Sequence, residues 1–209
     1  MSQNEISQGR MNPKARILLD NGGQIVVELL PEAAPNTVNS FISAARKGIF
    51  DHHLIERIVP EDWIDASYTG FRKKEGQYLI PYEHDLHPEL EALDSFFGCI
   101  CMGGYGELGE SGCEFFFPLR DCPEHKNIYP VFGYVLEGKE ELIRLKNLEL
   151  EPVYTYPNPS VKVNKPKIPQ EIVKMELELY GQEYPEPVKV SPDKIPECWK
   201  QFWESDREQ

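Results

Sequence analysis

The chain has 209 residues, with 22 Lys and Arg against 35 Asp and Glu, and its formal net charge at pH 7 is −13. This charge excludes nucleic acid and anionic membrane surfaces as expected partners, because both are bound through clustered Lys and Arg. A hydrophobic content of 40% suffices for one core, so we expect one domain of ordinary size with an appendage.

The first half of the chain alternates between strand and helix signals. Residues 15–19 and 24–29 predict a β-hairpin, because Asn21, Gly22 and Gly23 between them tolerate the positive φ of a tight turn. A helix follows Pro35, with Asn36 as a plausible N-cap and with apolar residues at helical spacing up to Gly48. Residues 53–59 and 63–67 predict the next two strands, and residues 68–93 are irregular.

The second half predicts more strands than helices. Strands are expected over residues 95–102, 113–119, 129–136 and 172–179, with a glycine-rich loop at 103–112. An amphipathic helix is expected over 139–148, and a proline-rich connection over 151–170. Many strands with only two helices indicate a mainly β fold, a closed antiparallel barrel capped by two α-helices. A doubly wound sheet would need many more helices.

The C-terminal segment, residues 182–209, carries four prolines and is predicted to be extended. Its aromatic residues Trp199, Phe202 and Trp203 need apolar cover, so we expect the segment to dock on the barrel in preference to a partner. The predicted organisation is therefore a flexible N-terminus (1–13), a barrel domain (14–181) and a Pro-rich C-terminal extension (182–209).

The termini and cysteines indicate the compartment. Residues 1–12 are polar and lack the apolar run of a signal peptide, and no segment approaches the ~20 apolar residues of a membrane span. An odd number of cysteines, five, without a secretion signal predicts free thiols and a cytoplasmic location. A zinc site is not expected, because a set of ligands with recognisable spacing is missing.

Three ordered motifs carry a resemblance to a known family. They are the strand around Arg57, the run of Glu114 and three phenylalanines at 115–117, and the segment 131–138 with Phe132-Gly133. With the opening hairpin and the helix at 34–41, they resemble the cyclophilin family, and the segment 178–187 resembles the ends of bacterial members. The resemblance implies a closed eight-stranded antiparallel barrel and peptidyl-prolyl cis–trans isomerase activity.

The implied chemistry lowers the ~18–20 kcal/mol barrier to rotation about an Xaa-Pro bond. An arginine that hydrogen-bonds the substrate near the prolyl nitrogen favours the twisted amide by electrostatic preorganisation. By resemblance, Arg57 is the catalytic arginine and Phe116 lines the proline pocket, with Ile64 and Met102 as further apolar walls. The implied partners are Xaa-Pro peptides or proteins. No cofactor or metal is needed, and a monomer is expected.

Several positions depart from the family pattern. Asp62 stands where a pocket Phe is usual, with Trp63 beside it as a substitute, and Asp65 stands where an orienting Gln is usual. Further changes are Glu56 for His, Gly104 for Asn, Glu114 for Gln and Tyr129 for His. The substrate-binding candidates are accordingly Asp62, Trp63, Asp65, Met102, Gly104, Glu114, Phe116 and Tyr129.

These departures leave more than one function open. A carboxylate within about 4 Å of Arg57 would pair with the guanidinium and compete with a substrate carbonyl. The sequence therefore predicts a weak isomerase, or one that prefers a positive charge beside proline. The alternative is a catalytically impaired module that binds Pro-containing segments or a protein partner. A third hypothesis, that the chain is a lyase or hydrolase, is supported only by the presence of these acidic residues.

Overall fold

The computed structural model describes residues 11–153 and 163–206. Residues 1–10 of the predicted flexible N-terminus lie outside the described residues, as do residues 154–162 of the predicted proline-rich connection and residues 207–209 of the tail. Pro13, which was predicted to belong to the N-terminal segment, is buried, and its carbonyl accepts a hydrogen bond from the Leu29 N–H at 2.8 Å.

The described residues form twelve β-strands and four α-helices. The strands are β1 Lys14–Leu19, β2 Gln24–Leu29, β3 His53–Leu54, β4 Arg57–Val59, β5 Trp63–Asp65, β6 Leu79–Ile80, β7 Cys99–Gly104, β8 Glu110–Pro118, β9 Val131–Glu137, β10 Leu150–Val153, β11 Val163–Pro166 and β12 Glu171–Glu178. The helices are α1 Pro35–Arg46, α2 Glu83–Leu86, α3 Lys139–Lys146 and α4 Glu197–Asp206.

Ten of these strands form one antiparallel sheet in the order β3-β12-β1-β2-β9-β7-β8-β5-β4, with β6 paired to β8. The two end strands, β3 and β4, are separated in the chain only by residues 55 and 56. The sheet therefore has to curl until its two ends meet, and this confirms the predicted mainly β antiparallel architecture. The sheet contains ten strands where the resemblance implied eight, and two of the ten, β3 and β6, are only two residues long.

The core lies inside the curl and is closed by α1. Phe41 of α1 contacts Phe50, Phe115 and Phe132 at ring-centroid distances of 5.3, 5.4 and 5.2 Å. Aromatic pairs at this spacing add to the stability gained by burial alone. Helix α1 is therefore held against β8 and β9, the strands that also carry the site described below.

The start of α1 differs from the prediction. The N-cap position is held by Ala34, and the helix N–H groups of Asn36 and Thr37 donate to the Glu83 carboxylate at 3.1 and 2.8 Å. The side chain of Asn36, predicted to be the cap, instead pairs with the backbone of Val188 at 2.7 and 3.2 Å. A carboxylate at a helix N-terminus is favoured by the helix dipole, so Glu83 from α2 takes the capping role.

The C-terminal segment packs back onto the barrel. The Val190 N–H donates to the Leu79 carbonyl at 2.8 Å, and Trp203 is 3% exposed in a cluster with Phe71 and Leu79. The end of the segment, predicted to be extended, is helix α4. In the described part of the chain, no helix is both long and apolar enough to cross a membrane.

Candidate active site

Strand register places three of the predicted site residues in one row. Arg57 of β4 is paired with Asp65 of β5, and Asp65 is paired with Phe116 of β8. The neighbouring row, Ile58, Ile64 and Phe117, is at most 1% exposed and belongs to the core. Because side chains alternate across a sheet, the Arg57 row must lie on the opposite face. Strand pleating therefore brings a guanidinium, a carboxyl group and an aromatic ring together outside the core.

This face borders a cavity of about 120 Å³. Seven predicted site residues line it, namely Arg57, Trp63, Asp65, Gly104, Glu114, Phe116 and Tyr129. Three lining residues were missed by the sequence analysis, namely Tyr68, Gly103 and His125. The cavity thus has one cationic, two acidic and several aromatic groups within the reach of one small ligand.

Arg57 is enclosed on several sides. Its Nε lies 3.1 Å from Asp65 Oδ2, although the N–H does not align with an acceptor as a hydrogen bond. Its Cζ lies 5.0 Å from the ring centroid of Tyr68 and 5.8 Å from that of Trp63, within the range of cation–π attraction. Trp63 Nε1 also donates to Asp65 Oδ2 at 3.2 Å. The guanidinium is therefore held in place by one carboxyl group and two rings.

The two carboxyl groups of the cavity have different partners. Burial raises the pKa of Asp65, while the Arg57 charge and the Trp63 hydrogen bond act against this rise. Burial raises the pKa of Glu114 to about 8, even though part of this side chain reaches the cavity, and the hydrogen bond from the Tyr105 hydroxyl opposes the rise. This rise favours the protonated form of Glu114, which is able to donate a hydrogen bond, as a glutamine would.

The apolar floor is built from three rings. Phe116 is 5% exposed and meets His125 and Tyr129 edge to face, at 5.6 and 5.5 Å between centroids. Burial lowers the pKa of His125, which favours the neutral form of its ring. Gly104 closes one side, where an added Cβ would stand 3.3 Å from the Tyr129 ring. A compact ring such as that of proline fits a floor of this kind.

Asp62 and Met102, predicted to contact the substrate, do not line the cavity. Asp62 lies on the β4–β5 turn, where its Oδ1 accepts a hydrogen bond from Arg120 Nε at 2.7 Å. Met102 is paired with Phe115, whose side chain points into the core, and is fully buried there. Ile64, predicted as an apolar wall, is likewise part of the core. The alternation of side chains explains the last two placements, since both residues lie one position away from a cavity residue.

Comparison with known sequences identifies the family. The profile of the cyclophilin-type peptidyl-prolyl cis–trans isomerases matches residues 15–177. The chain belongs to the cyclophilin family. Among solved structures, a cyclophilin-type isomerase of Cryptosporidium parvum matches this cyclophilin with a TM-score of 0.61 at 21% identity, over 80% of this chain and 98% of the other. At that identity the likeness supports the fold alone.

The curated relatives differ in how much of their length matches this chain. Peptidyl-prolyl cis-trans isomerase B of Bacillus subtilis is 30% identical over 134 residues, 62% of this chain and 88% of the relative. Peptidyl-prolyl cis-trans isomerase-like 2 of Cryptococcus neoformans is 31% identical over 137 residues, which span only 23% of that relative. The spliceosome-associated protein CWC27 homolog of Xenopus laevis is 29% identical over 138 residues, 28% of its length. Eukaryotic relatives match as well as the bacterial one, so the comparisons do not single out the predicted resemblance to bacterial members.

Proposed function

We propose that this cyclophilin is a peptidyl-prolyl cis–trans isomerase that acts on Xaa-Pro bonds of peptides and proteins, with altered activity. The observation that carries the proposal is the row of Arg57, Asp65 and Phe116 across three paired strands, which sets a guanidinium beside an apolar floor. The family membership supports the same reaction class.

The proposed mechanism needs only the side chains of the cavity. Phe116, Tyr129 and His125 hold the proline ring, and Arg57 donates a hydrogen bond towards the prolyl nitrogen as the amide twists. Rotation breaks the conjugation between nitrogen and carbonyl, so the nitrogen lone pair becomes an acceptor in the transition state. A donor fixed in a partly dry cavity stabilises that state without reorganising first. A guanidinium has five N–H donors, so one contact with Asp65 leaves others for the substrate.

The acidic groups bear on substrate preference. Asp65 brings a negative charge to the cavity wall at 3.1 Å from Arg57. A carboxylate in this position attracts a Lys or Arg beside the substrate proline and repels an Asp or Glu. We therefore propose a preference for peptides with a positive charge next to proline.

A second candidate function is a binding module with little catalysis. The contact between Asp65 and Arg57 favours it, because a guanidinium held by a carboxylate is less available to a substrate. One relative, the spliceosome-associated protein CWC27 homolog of Xenopus laevis, has a name that refers to the spliceosome, and the matched region is 28% of its length. In this reading, the cavity holds a Pro-containing segment of a partner protein.

Proline-limited refolding separates the two functions. An isomerase accelerates the slow phase of a test protein when it is present at a small fraction of the substrate concentration, because each molecule turns over many times. A binding module changes that phase only near equal concentrations, and then by slowing it. Acceleration by substoichiometric wild-type protein, lost in Arg57→Ala, supports the isomerase. Retardation at equal concentration, with no acceleration below it, supports the module.

A further inference from the structure

A group of potential metal ligands lies beside the cavity in a short stretch of chain. Cys122, Glu124 and His125 bring a thiol, a carboxylate and an imidazole together, and one ligand atom from each lies within 4.8 Å of the others. The 3-10 turn Pro123–His125 creates this cluster, since the His125 N–H donates to the Cys122 carbonyl at 3.0 Å. The tight turn therefore brings the three side chains together.

We propose that Cys122, Glu124 and His125 form a binding site for a divalent zinc-like cation at the edge of the cavity. Sulfur, nitrogen and oxygen donors together suit a borderline-soft ion such as Zn²⁺, and three protein ligands leave a fourth position for water or another ligand. With bonds of about 2.0–2.3 Å, donor atoms on one zinc lie roughly 3–4 Å apart, so the cluster needs to close by about 1 Å. Glu124 is exposed and forms the solvent side of the cluster, which makes this movement feasible.

The surrounding charges suit a cation. Glu124 accepts a hydrogen bond from Arg120 Nη2 at 2.7 Å, and Arg120 Nε is held by Asp62 at the same distance. If the Cys122 thiol gives up its proton to a metal, then the thiolate, Glu124, Asp62 and Arg120 sum to a charge of about −2, which the metal neutralises. Arg120 keeps its contact with Asp62 when Glu124 turns to the metal.

A second contact orients the imidazole. His125 Nδ1 lies 3.1 Å from the Ser95 hydroxyl, and both residues are buried. With Nε2 as the ligand atom in this proposal, the contact of Nδ1 with Ser95 is an outer hydrogen bond of the kind that fixes the ring orientation of metal-binding histidines. Because the same ring lines the cavity, 4.9 Å from the ring of Tyr129, an ion at this site would restrain the floor of the proposed proline pocket. The binding site itself does not rest on the proposed isomerase activity.

Cobalt titration tests the site without an activity assay. The reduced protein is titrated with Co²⁺, whose bond to a thiolate gives a near-ultraviolet charge-transfer band, and Zn²⁺ is then added to displace it. We expect the band in wild type and in Cys198→Ser, an exposed cysteine outside the cluster, and its loss in Cys122→Ser. Loss of the outer contact in Ser95→Ala should weaken binding by about 10- to 100-fold.

His125→Gln keeps the test decisive if Cys122→Ser does not fold. It retains the thiol and a polar side chain, and we expect it to weaken Co²⁺ binding by at least as much as Ser95→Ala does. Absence of the charge-transfer band in folded wild type would overturn the proposal. So would a band of unchanged strength in Cys122→Ser or His125→Gln, because the metal would then be held by other thiols.

Discussion

Two buried glutamates share one threonine hydroxyl at the start of α1. Thr37 Oγ1 lies 2.6 Å from Glu83 Oε2 and 2.9 Å from Glu110 Oε2, and all three residues are buried. A hydroxyl has only one proton to donate. If that proton goes to Glu83, which already accepts two helix N–H groups, then Glu110 has to be protonated and donate to Thr37. Burial, the largest influence, raises the pKa of Glu110 to about 8, in agreement with this count.

The raised pKa makes stability depend on pH. Glu110 binds its proton more tightly in the folded state than in the unfolded state. Its contribution to the free energy of unfolding is therefore complete below the ordinary pKa of 4.5 and is lost as the pH rises to about 8. The two pKa values differ by roughly 3.5, and each pH unit is worth about 1.4 kcal/mol, so the loss is on the order of 5 kcal/mol. Glu110→Gln copies the protonated form, because its amide accepts from the Glu83 N–H and donates to Thr37.

Denaturant unfolding at pH 5, 7 and 8.5 measures this directly. We expect wild type and Glu110→Gln to have similar free energies of unfolding at pH 5, and the variant to be more stable by several kcal/mol at pH 8.5. Because other groups titrate alike in both proteins, their effect cancels in the difference between the two free energies of unfolding at each pH. Glu83→Gln is the matched control and should destabilise at all three pH values, because it removes the charge that caps α1. A difference between wild type and Glu110→Gln that does not change with pH would refute the proton count.

Three further predictions concern the cavity and the C-terminal segment. If protonated Glu114 serves as a hydrogen-bond donor, the isomerisation rate of the wild type should fall as the pH rises through about 8, whereas the rate of Glu114→Gln should not. Parallel pH profiles of the two proteins would contradict this role of Glu114. Asp65→Asn should raise the turnover of a neutral Xaa-Pro peptide by about 10-fold, the equivalent of ~1.4 kcal/mol in activation free energy. Unchanged or lower turnover would show that Asp65 does not compete with the substrate for Arg57. Trp203→Ala should lower the free energy of unfolding by about 3–5 kcal/mol, and Glu204→Ala, at an exposed position, is the control. A loss below about 1 kcal/mol would mean that Trp203 does not anchor α4 to the barrel.

Sequence patterns located the parts of the fold that repeat a simple period. The hairpin of β1 and β2, helices α1 and α3 and strand β12 lie within two residues of their predicted bounds. The predicted strand at 53–59 is divided into β3 and β4, because residues 55 and 56 carry the chain between the two ends of the sheet. Such a break depends on sheet closure, which a local pattern cannot report.

Helix α4 was predictable in principle. Trp199, Phe202 and Trp203 stand at the i, i+3, i+4 spacing of a helical face, and no proline follows Pro196. The four prolines before this face led to the prediction of an extended segment. Pro185 and Pro187 fit the extended path of residues 182–191, whereas Pro192 begins a 3-10 turn, so the prediction was wrong from Pro192 onwards.

The candidate site was predictable as far as the resemblance reached. Arg57 and Phe116 follow from matched motifs, and strand register then sets them in one row. His125 was missed because it belongs to a segment whose sequence departs from the family pattern. The raised pKa of Glu114 was also missed, because it results from burial, which the hydrogen bond from the Tyr105 hydroxyl opposes only in part. Charge in a buried site follows from three-dimensional surroundings, which residue type alone does not fix.

Exchange spectroscopy on a short Ala-Pro peptide tests the central claim most directly. Cis and trans forms give separate NMR signals, so the rate of exchange between them is measured at equilibrium with wild type and with Arg57→Ala, while chemical-shift changes report peptide binding to each. We predict faster exchange with wild type and a return to the uncatalysed rate with Arg57→Ala, although the peptide still binds. Binding to wild type with no faster exchange, or equal acceleration by both proteins, would contradict the assignment of catalysis to Arg57.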